Sequence, residues 1–170
     1  MKMTDLFLAE LDREASGTRK ALERVPEGKN DWKCHDKSMA LGKLAMHCAT
    51  LPLFGYYILE DEGMDLAAPT RPHASLEFTT REAALKALDE GAAKCRAALV
   101  AADDEHFQKI WPFTWGEQVI SKGPRSLAFR GMFFDHLIHH TAQLGVYLRL
   151  NDIPVPALYG PSADEQWSPK

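Results

Sequence analysis

Residues 133–144 read FFDHLIHHTAQL, and the interpretation of the whole chain starts from this stretch. Its large apolar residues recur at helical spacing, and three histidines fall among them within five positions. A helix places residues i and i+4 above one another, with Cβ atoms about 6 Å apart. His136 and His140 can therefore turn their imidazoles towards one point, the arrangement of a two-histidine grip on a divalent metal.

Apolar residues at spacings of three and four predict four helices, over residues 5–24, 39–60, 80–102 and 126–150. Thr4 is the expected N-cap of the first helix, and Thr79 is the expected N-cap of the third, in a capping box with Glu82. Four helices of this length indicate an all-α four-helix bundle. The 170 residues suit a single domain, 1–170, that ends in an extended tail over 151–170.

The connections between these helices carry further signals. Residues 61–78 are too many for a simple hairpin of helices, so we expect them to cross the bundle and let helices two and three run parallel. Residues 104–124 include Trp111 and Trp115 and predict a small hairpin that caps one end of the core. Pro52 removes a hydrogen bond inside the second helix and predicts a kink just after His47.

Composition excludes several classes of function. The net charge of -4 and the pI of about 6.0 do not suit a polyanion partner, so we expect no nucleic-acid binding. No apolar run is long enough to span a bilayer or serve as a signal-peptide core, and we expect a cytoplasmic protein without membrane association. Cys34, Cys48 and Cys95 fit neither a disulfide framework nor a CxxC metal site, so reduced thiols are expected.

His47 is the candidate for a third metal ligand, because it lies beside the apolar stripe of the second helix. A buried histidine is costly unless both ring nitrogens find partners. A shared Zn²⁺, Ni²⁺, Fe²⁺ or Co²⁺ would satisfy His47, His136 and His140 together, and three protein ligands leave a position open for chemistry. The alternative for His47 is a packed, hydrogen-bonded core residue. His139 could replace His140, but His140 follows the apolar stripe better, so His139 is interpreted as flanking.

The chain resembles the DinB/YfiT-like family of metal-binding four-helix bundles. The residues that carry the resemblance are Met46-His47, the run HLIHHTAQL over 136–144, and the continuation from VYLRL at 146–150 to YGPSADE at 159–165. These residues resemble the DinB branch in particular. The resemblance covers essentially the whole chain. Family members usually carry Arg or another residue where Thr141 stands, a difference that does not touch the three histidines.

The resemblance implies an up-down-down-up bundle with a metal site at one end, formed by His47, His136 and His140. It also implies a homodimer and a divalent metal, zinc or nickel. The resemblance does not fix the reaction, but some family members resemble transferases that join a low-molecular-weight thiol, such as bacillithiol, mycothiol or glutathione, to a small-molecule substrate. The metal would lower the pKa of the thiol.

Two other functions stay open at this point. One is a hydrolase in which a metal activates water. The other is a non-catalytic metal-binding or stress-response protein, whose site would be closed by a fourth protein ligand. Cys48 follows His47 directly but points about 100° away around the helix, so it is not expected to be that ligand. Four acidic or phenolic residues are candidates for orienting a histidine or accepting a proton: Tyr57, Glu60, Asp61 and Asp135.

Overall fold

Four long helical stretches dominate the computed structural model, which describes residues 2–166. They are α1 (Met3–Leu22), α2 (Leu41–Glu60), α3 (Arg81–Ala101) and a last stretch made of α5 (Arg125–Ala128), a π-helical segment (Phe129–Asp135) and α6 (His136–Leu150). Each begins and ends within two residues of the predicted bounds. Residues 167–170 of the predicted tail lie outside the described residues. None of the described helices is long and apolar enough to cross a membrane.

Helices α2 and α3 run in the same direction. A Cβ added to Gly42, near the start of α2, would lie 2.9 Å from the Cβ of Phe78, just before α3. One added to Gly91, halfway along α3, would lie 2.9 Å from the backbone nitrogen of Leu53, in the second half of α2. The start of α2 therefore lies beside the start of α3, and the later part of α2 lies beside the later part of α3. The two helices are parallel, as the long connection over 61–78 predicts.

The other two long helices run the opposite way. Ion pairs join α1 to α3 in reverse order along the two helices: Asp12–Arg96 and Arg19–Asp89. Tyr147, near the end of α6, donates a hydrogen bond to the carbonyl of Met39 just before α2 (2.9 Å), whereas Gly55, late in α2, packs against Phe133 before α6. The four directions are therefore up, down, down and up.

A small three-stranded sheet accompanies the helices, so the all-α class predicted from the sequence is correct only in part. After the short helix α4 (Asp104–Gln108), β2 (Ile110–Trp115) and β3 (Gln118–Pro124) form the predicted hairpin. Gly116 turns it with a φ of +56°, a conformation that glycine adopts at little cost. The sequence did not predict β1 (Met64–Asp65), which pairs with β2 in parallel and ties the 61–78 connection to the hairpin.

Thr4 is not the N-cap of α1, so that prediction was wrong. The helix starts at Met3, Lys2 takes the cap position, and the Thr4 side chain is buried. The backbone N–H of Met3 instead donates to the carboxylate of Asp104 (3.0 Å), which lies beside the helix start although it is far away in sequence. A carboxylate at this end also suits the positive pole of the helix dipole.

The N-cap of α3 lies one residue later than predicted. Thr80, not Thr79, accepts a hydrogen bond from the backbone N–H of Ala83 (3.1 Å). Glu82 is therefore the second helical residue rather than the third, and the predicted capping box does not form.

An aromatic cluster fills the core where the π-helical segment meets α1. Phe129, Phe133 and Phe134 of this segment are all buried, and the ring centroids of Phe129 and Phe134 lie 5.1 and 5.9 Å from that of Phe7. Trp111 is also buried and donates its indole N–H to the Asp61 carbonyl. This tryptophan covers the end of the core, as predicted for the hairpin, whereas Trp115 is exposed. Helix α2 continues through Pro52, and the kink after His47 stays a prediction.

We expect Gly91→Ala to lower the free energy of unfolding by about 1–3 kcal/mol, because the added methyl group would press on the α2 backbone at Leu53. Gly17→Ala in α1 is the matched control. Its Cβ would meet only an ordinary contact at 3.5 Å, so the gain in helix propensity should stabilise the protein by up to about 1 kcal/mol. Urea unfolding of the two variants would measure both effects. Equal stabilisation by the two substitutions would contradict the close approach of α2 and α3.

Candidate metal centre

Three histidines from two helices converge on one point. His47 comes from α2, and His136 and His140 come from α6. The Nε2 atoms of His47 and His136 lie 3.1 Å apart, and one nitrogen from each of the three rings lies within 4.8 Å of the others. All three side chains are half-buried. Over residues 2–166 this is the only group of three or more His, Cys, Asp or Glu side chains with such spacing.

The π-helical segment orients His136. The backbone N–H of His136 donates to the Phe133 carbonyl, which leaves the Met132 carbonyl free of its usual α-helical donor. The Nδ1 of His136 takes this place at 3.3 Å from the Met132 oxygen. A proton on Nδ1 directs the lone pair of Nε2 towards His47 and His140.

Gln143 orients His140, a role that was not predicted from the sequence. The amide oxygen of Gln143 lies 2.8 Å from Nδ1 of His140 and accepts a hydrogen bond from the Nδ1–H group. This hydrogen bond leaves Nε2 of His140 as the ring nitrogen with a free lone pair. The signal was available, because residues three apart on a helix are neighbours and a glutamine is a good acceptor for an imidazole N–H.

The site keeps its imidazoles neutral near pH 7. Burial, followed by the neighbouring imidazoles of His140 and His136 and by the ammonium of Lys43, lowers the pKa of His47 to about 4. Burial also lowers the pKa of His136 and that of His140, although the hydrogen bonds to Met132 and Gln143 oppose the change. Neutral imidazoles are the form that binds a metal, so this donor set fits a divalent cation that favours nitrogen ligands.

No fourth protein ligand closes the site within the described part of the chain. His139 is exposed and lies outside the group, with its ring centroid 4.9 Å from that of His140. The thiol of Cys48 is fully buried, and burial raises its pKa to about 12. A metal on the three histidines would therefore keep an open coordination position.

A pocket of about 320 Å³ opens beside His47 and His136. Its floor is α2 and its roof is the segment over 64–76, which we call the roof segment. Most of its lining is apolar and includes Leu53, Phe54, Met64, Leu66, Leu76 and Phe113. Besides the two histidines, polar groups come from Thr50, Tyr57, Thr70, Arg71 and His73, and no carboxylate belongs to its described lining. The pocket thus joins the candidate metal centre to a mostly apolar space.

The carboxylates considered as partners of the histidines are engaged elsewhere. Asp61 pairs with Arg71, and Asp135 pairs with Arg130 at 3.3 Å. Glu60 is exposed at the end of α2. Of the four candidates, Tyr57 alone belongs to the pocket lining.

We expect Gln143→Ala to weaken metal binding by about 10–100-fold, the usual effect of removing a hydrogen-bond partner of a ligand histidine. Gln143→Glu keeps an acceptor oxygen and should restore most of the affinity. Competition with a chromophoric chelator would measure the dissociation constants. Because Gln143 is exposed, the unfolding midpoint without metal should stay unchanged in both variants. Equal affinity of Gln143→Ala and wild type would refute an orienting role.

The metal-free protein should lose stability as the pH falls from about 6.5 towards about 4. Over this range an unfolded chain protonates His47, whereas the folded chain does not, so protons favour unfolding. Above the ordinary histidine pKa both states are neutral and the contribution to stability is complete. His47→Gln should flatten this slope when urea unfolding is measured at several pH values. An unchanged slope would show that His47 is not buried as a neutral group.

The solved structures that share this fold include three from Bacillus species. A DinB-like protein from Bacillus cereus is 20% identical, with a TM-score of 0.65 over 90% of this chain and 95% of its own. The DinB-like protein YjoA from Bacillus subtilis is 20% identical, with a TM-score of 0.66 over 94% and 98%. YfiT from Bacillus subtilis, described as a probable metal-dependent hydrolase with an unusual four-helix bundle topology, is 17% identical, with a TM-score of 0.64 over 88% and 87%.

The family assignment comes from the sequence profile of the DinB superfamily, which matches residues 10–144. This span contains His47, His136 and His140. No curated protein matches the chain. The resemblance drawn from the sequence is confirmed, and the chain belongs to the DinB superfamily.

Proposed function

We propose that this protein is a divalent-metal-dependent enzyme that transfers a low-molecular-weight thiol to a small electrophile. His47, His136 and His140 would hold the metal, with zinc or nickel as the best candidates because both accept imidazole ligands. The support is the convergence of three neutral imidazoles beside an open pocket. When bound, the metal would supply Lewis acidity that lowers the pKa of a thiol or of water.

The lining of the pocket is the observation that favours thiol transfer. Metal-dependent hydrolysis of the zinc-peptidase type uses a carboxylate beside the metal as a general base, and the described lining contains none. A free thiol has a pKa of about 8.5, so a modest decrease produces the thiolate without a dedicated base. The chemistry that needs the fewest additional groups is therefore attack by sulfur.

The residues of this chain would contribute binding and orientation. Met132 and Gln143 fix the tautomers of His136 and His140, and the apolar walls exclude water from the electrophile. In the transfer, the thiol proton leaves to solvent and the sulfur forms a bond to the electrophilic carbon. The leaving group departs with the electron pair of the bond that breaks.

A hydrolase is the second candidate, and the description of YfiT favours it. That protein shares the fold at 17% identity, and its description names a metal-dependent hydrolase. In this chain the hydroxyl groups of Thr50 and Tyr57 in the pocket lining could assist water, although both are weaker bases than a carboxylate. A purely structural or storage site fits less well, since no fourth protein ligand closes the group in the described residues.

Metal analysis is the first test of this proposal. Untagged wild-type protein should contain about one equivalent of metal by plasma mass spectrometry, as one three-histidine site requires. His47→Ala and His136→Ala should each lose it, whereas His139→Ala, an exposed neighbour outside the group, should keep it. Metal retained in either of the first two variants, or absent from wild type after addition of zinc or nickel, would refute the site.

Activity then separates the two reactions. Wild-type protein loaded with metal should consume chlorodinitrobenzene only when bacillithiol, mycothiol or glutathione is present, and His47→Ala should lose this turnover. Cleavage of nitrophenyl acetate without any thiol, lost in the same variant, would instead establish the hydrolase. If the fully metallated protein showed neither of these activities, that result would contradict both proposed reactions.

A further inference from the structure

The pocket beside His47 and His136 has a composition that selects its ligand by charge. We infer that it binds neutral, mostly apolar molecules and discriminates against anions. The inference depends on the proposed function in one respect only, which is the identification of this ligand with the electrophilic substrate. Its volume of about 320 Å³ lies at the lower end for small-molecule sites, which suits a ligand of one or two rings.

Arg71 is the only lysine, arginine or carboxylate side chain in the described lining, and its charge is already balanced. Its Nε lies 2.9 and 2.8 Å from the two carboxylate oxygens of Asp61, and its Nη2 lies 2.6 Å from one of them. The Asp61 side chain is largely covered, at 16% exposed, and that of Arg71 is partly covered, at 35% exposed. A bidentate pair in this environment leaves Arg71 little capacity to receive a second anion.

The Arg71 guanidinium also has two aromatic neighbours on α2. It lies over the ring of Tyr57 at 5.0 Å from the centroid, and 5.4 Å from the centroid of Tyr56. These contacts attract the cation towards α2. An anionic ligand in the pocket would lose its hydration, meet apolar walls and find the nearby carboxylate of Asp61 unfavourable.

The same ion pair positions the roof segment. Asp61 follows the last residue of α2, and its backbone carbonyl accepts the indole N–H of the buried Trp111 (3.0 Å). Arg71 therefore ties the roof segment to a point that the core already fixes. We assign Arg71 and Asp61 as positioning residues that set both the roof of the pocket and its neutrality.

Direct binding to metal-free protein tests this inference. Calorimetry with naphthol and naphthoate compares the same ring system with and without a negative charge at neutral pH. Wild type should bind naphthol at least about tenfold more tightly than naphthoate, because only the anion loses hydration without a free counter-ion. Asp61→Asn should raise the affinity for naphthoate and reduce this ratio, since it releases the charge of Arg71. A purely structural loss of the roof would weaken both ligands together.

Two further variants locate the ligand. Leu66→Glu places a charge in the pocket lining and should abolish naphthol binding, whereas Val100→Glu places it on the exposed surface of α3 and should not.

Three results would overturn the inference. They are naphthoate binding as tight as naphthol binding in wild type, naphthol binding that Leu66→Glu leaves unchanged, and no binding of either compound. Circular dichroism of each variant would show that the fold is retained. Should Asp61→Asn fail to fold, the wild-type ratio and the Leu66→Glu variant still decide the outcome.

Discussion

The contact between His47 and His136 is the constraint on which the site depends. Their Nε2 atoms lie 3.1 Å apart in a half-buried position between α2 and α6. The Met132 carbonyl holds the proton of His136 on Nδ1, so Nε2 of His136 can only accept. Either His47 donates a proton across this contact or both lone pairs point at one cation. The neutral state of the rings, enforced by burial, permits both arrangements and excludes a pair of charged imidazoliums.

The floor and the roof of the pocket differ in how they are built. The floor is α2, which packs against both α3 and the last helical stretch, so its backbone has little room to move. The roof segment has little regular structure apart from β1 and is held by the Asp61–Arg71 pair and a short parallel pairing with β2. Binding sites often combine a rigid scaffold with a more variable connection. The rigid helix α2 would carry the chemistry, whereas the roof segment would determine which ligand binds.

The features predicted correctly from the sequence are those that depend on the local periodicity of apolar residues. The sequence predicted the four helices and the convergence of His136 and His140, because these follow from i to i+4 spacing. It could not predict β1, whose two residues gain their structure from a strand almost fifty positions later. Nor could it predict the cap of α1, since Asp104 supplies that hydrogen bond from 101 residues away. Thr79 and Thr80 are chemically equal as caps, so residue type alone does not identify Thr80 as the one that the helix uses.

The π-helical segment has a consequence for the phase of the last helical stretch. An α-helix advances about 100° per residue, and each wide turn holds one residue more than usual. Phe129–Asp135 therefore sets the angle between the part of the stretch that carries the buried phenylalanines and the part that carries the imidazoles next to α2. Deletion of a single residue there would rewind the turn and rotate the entire imidazole face away from His47. The length of this stretch is thus as restrictive as its composition.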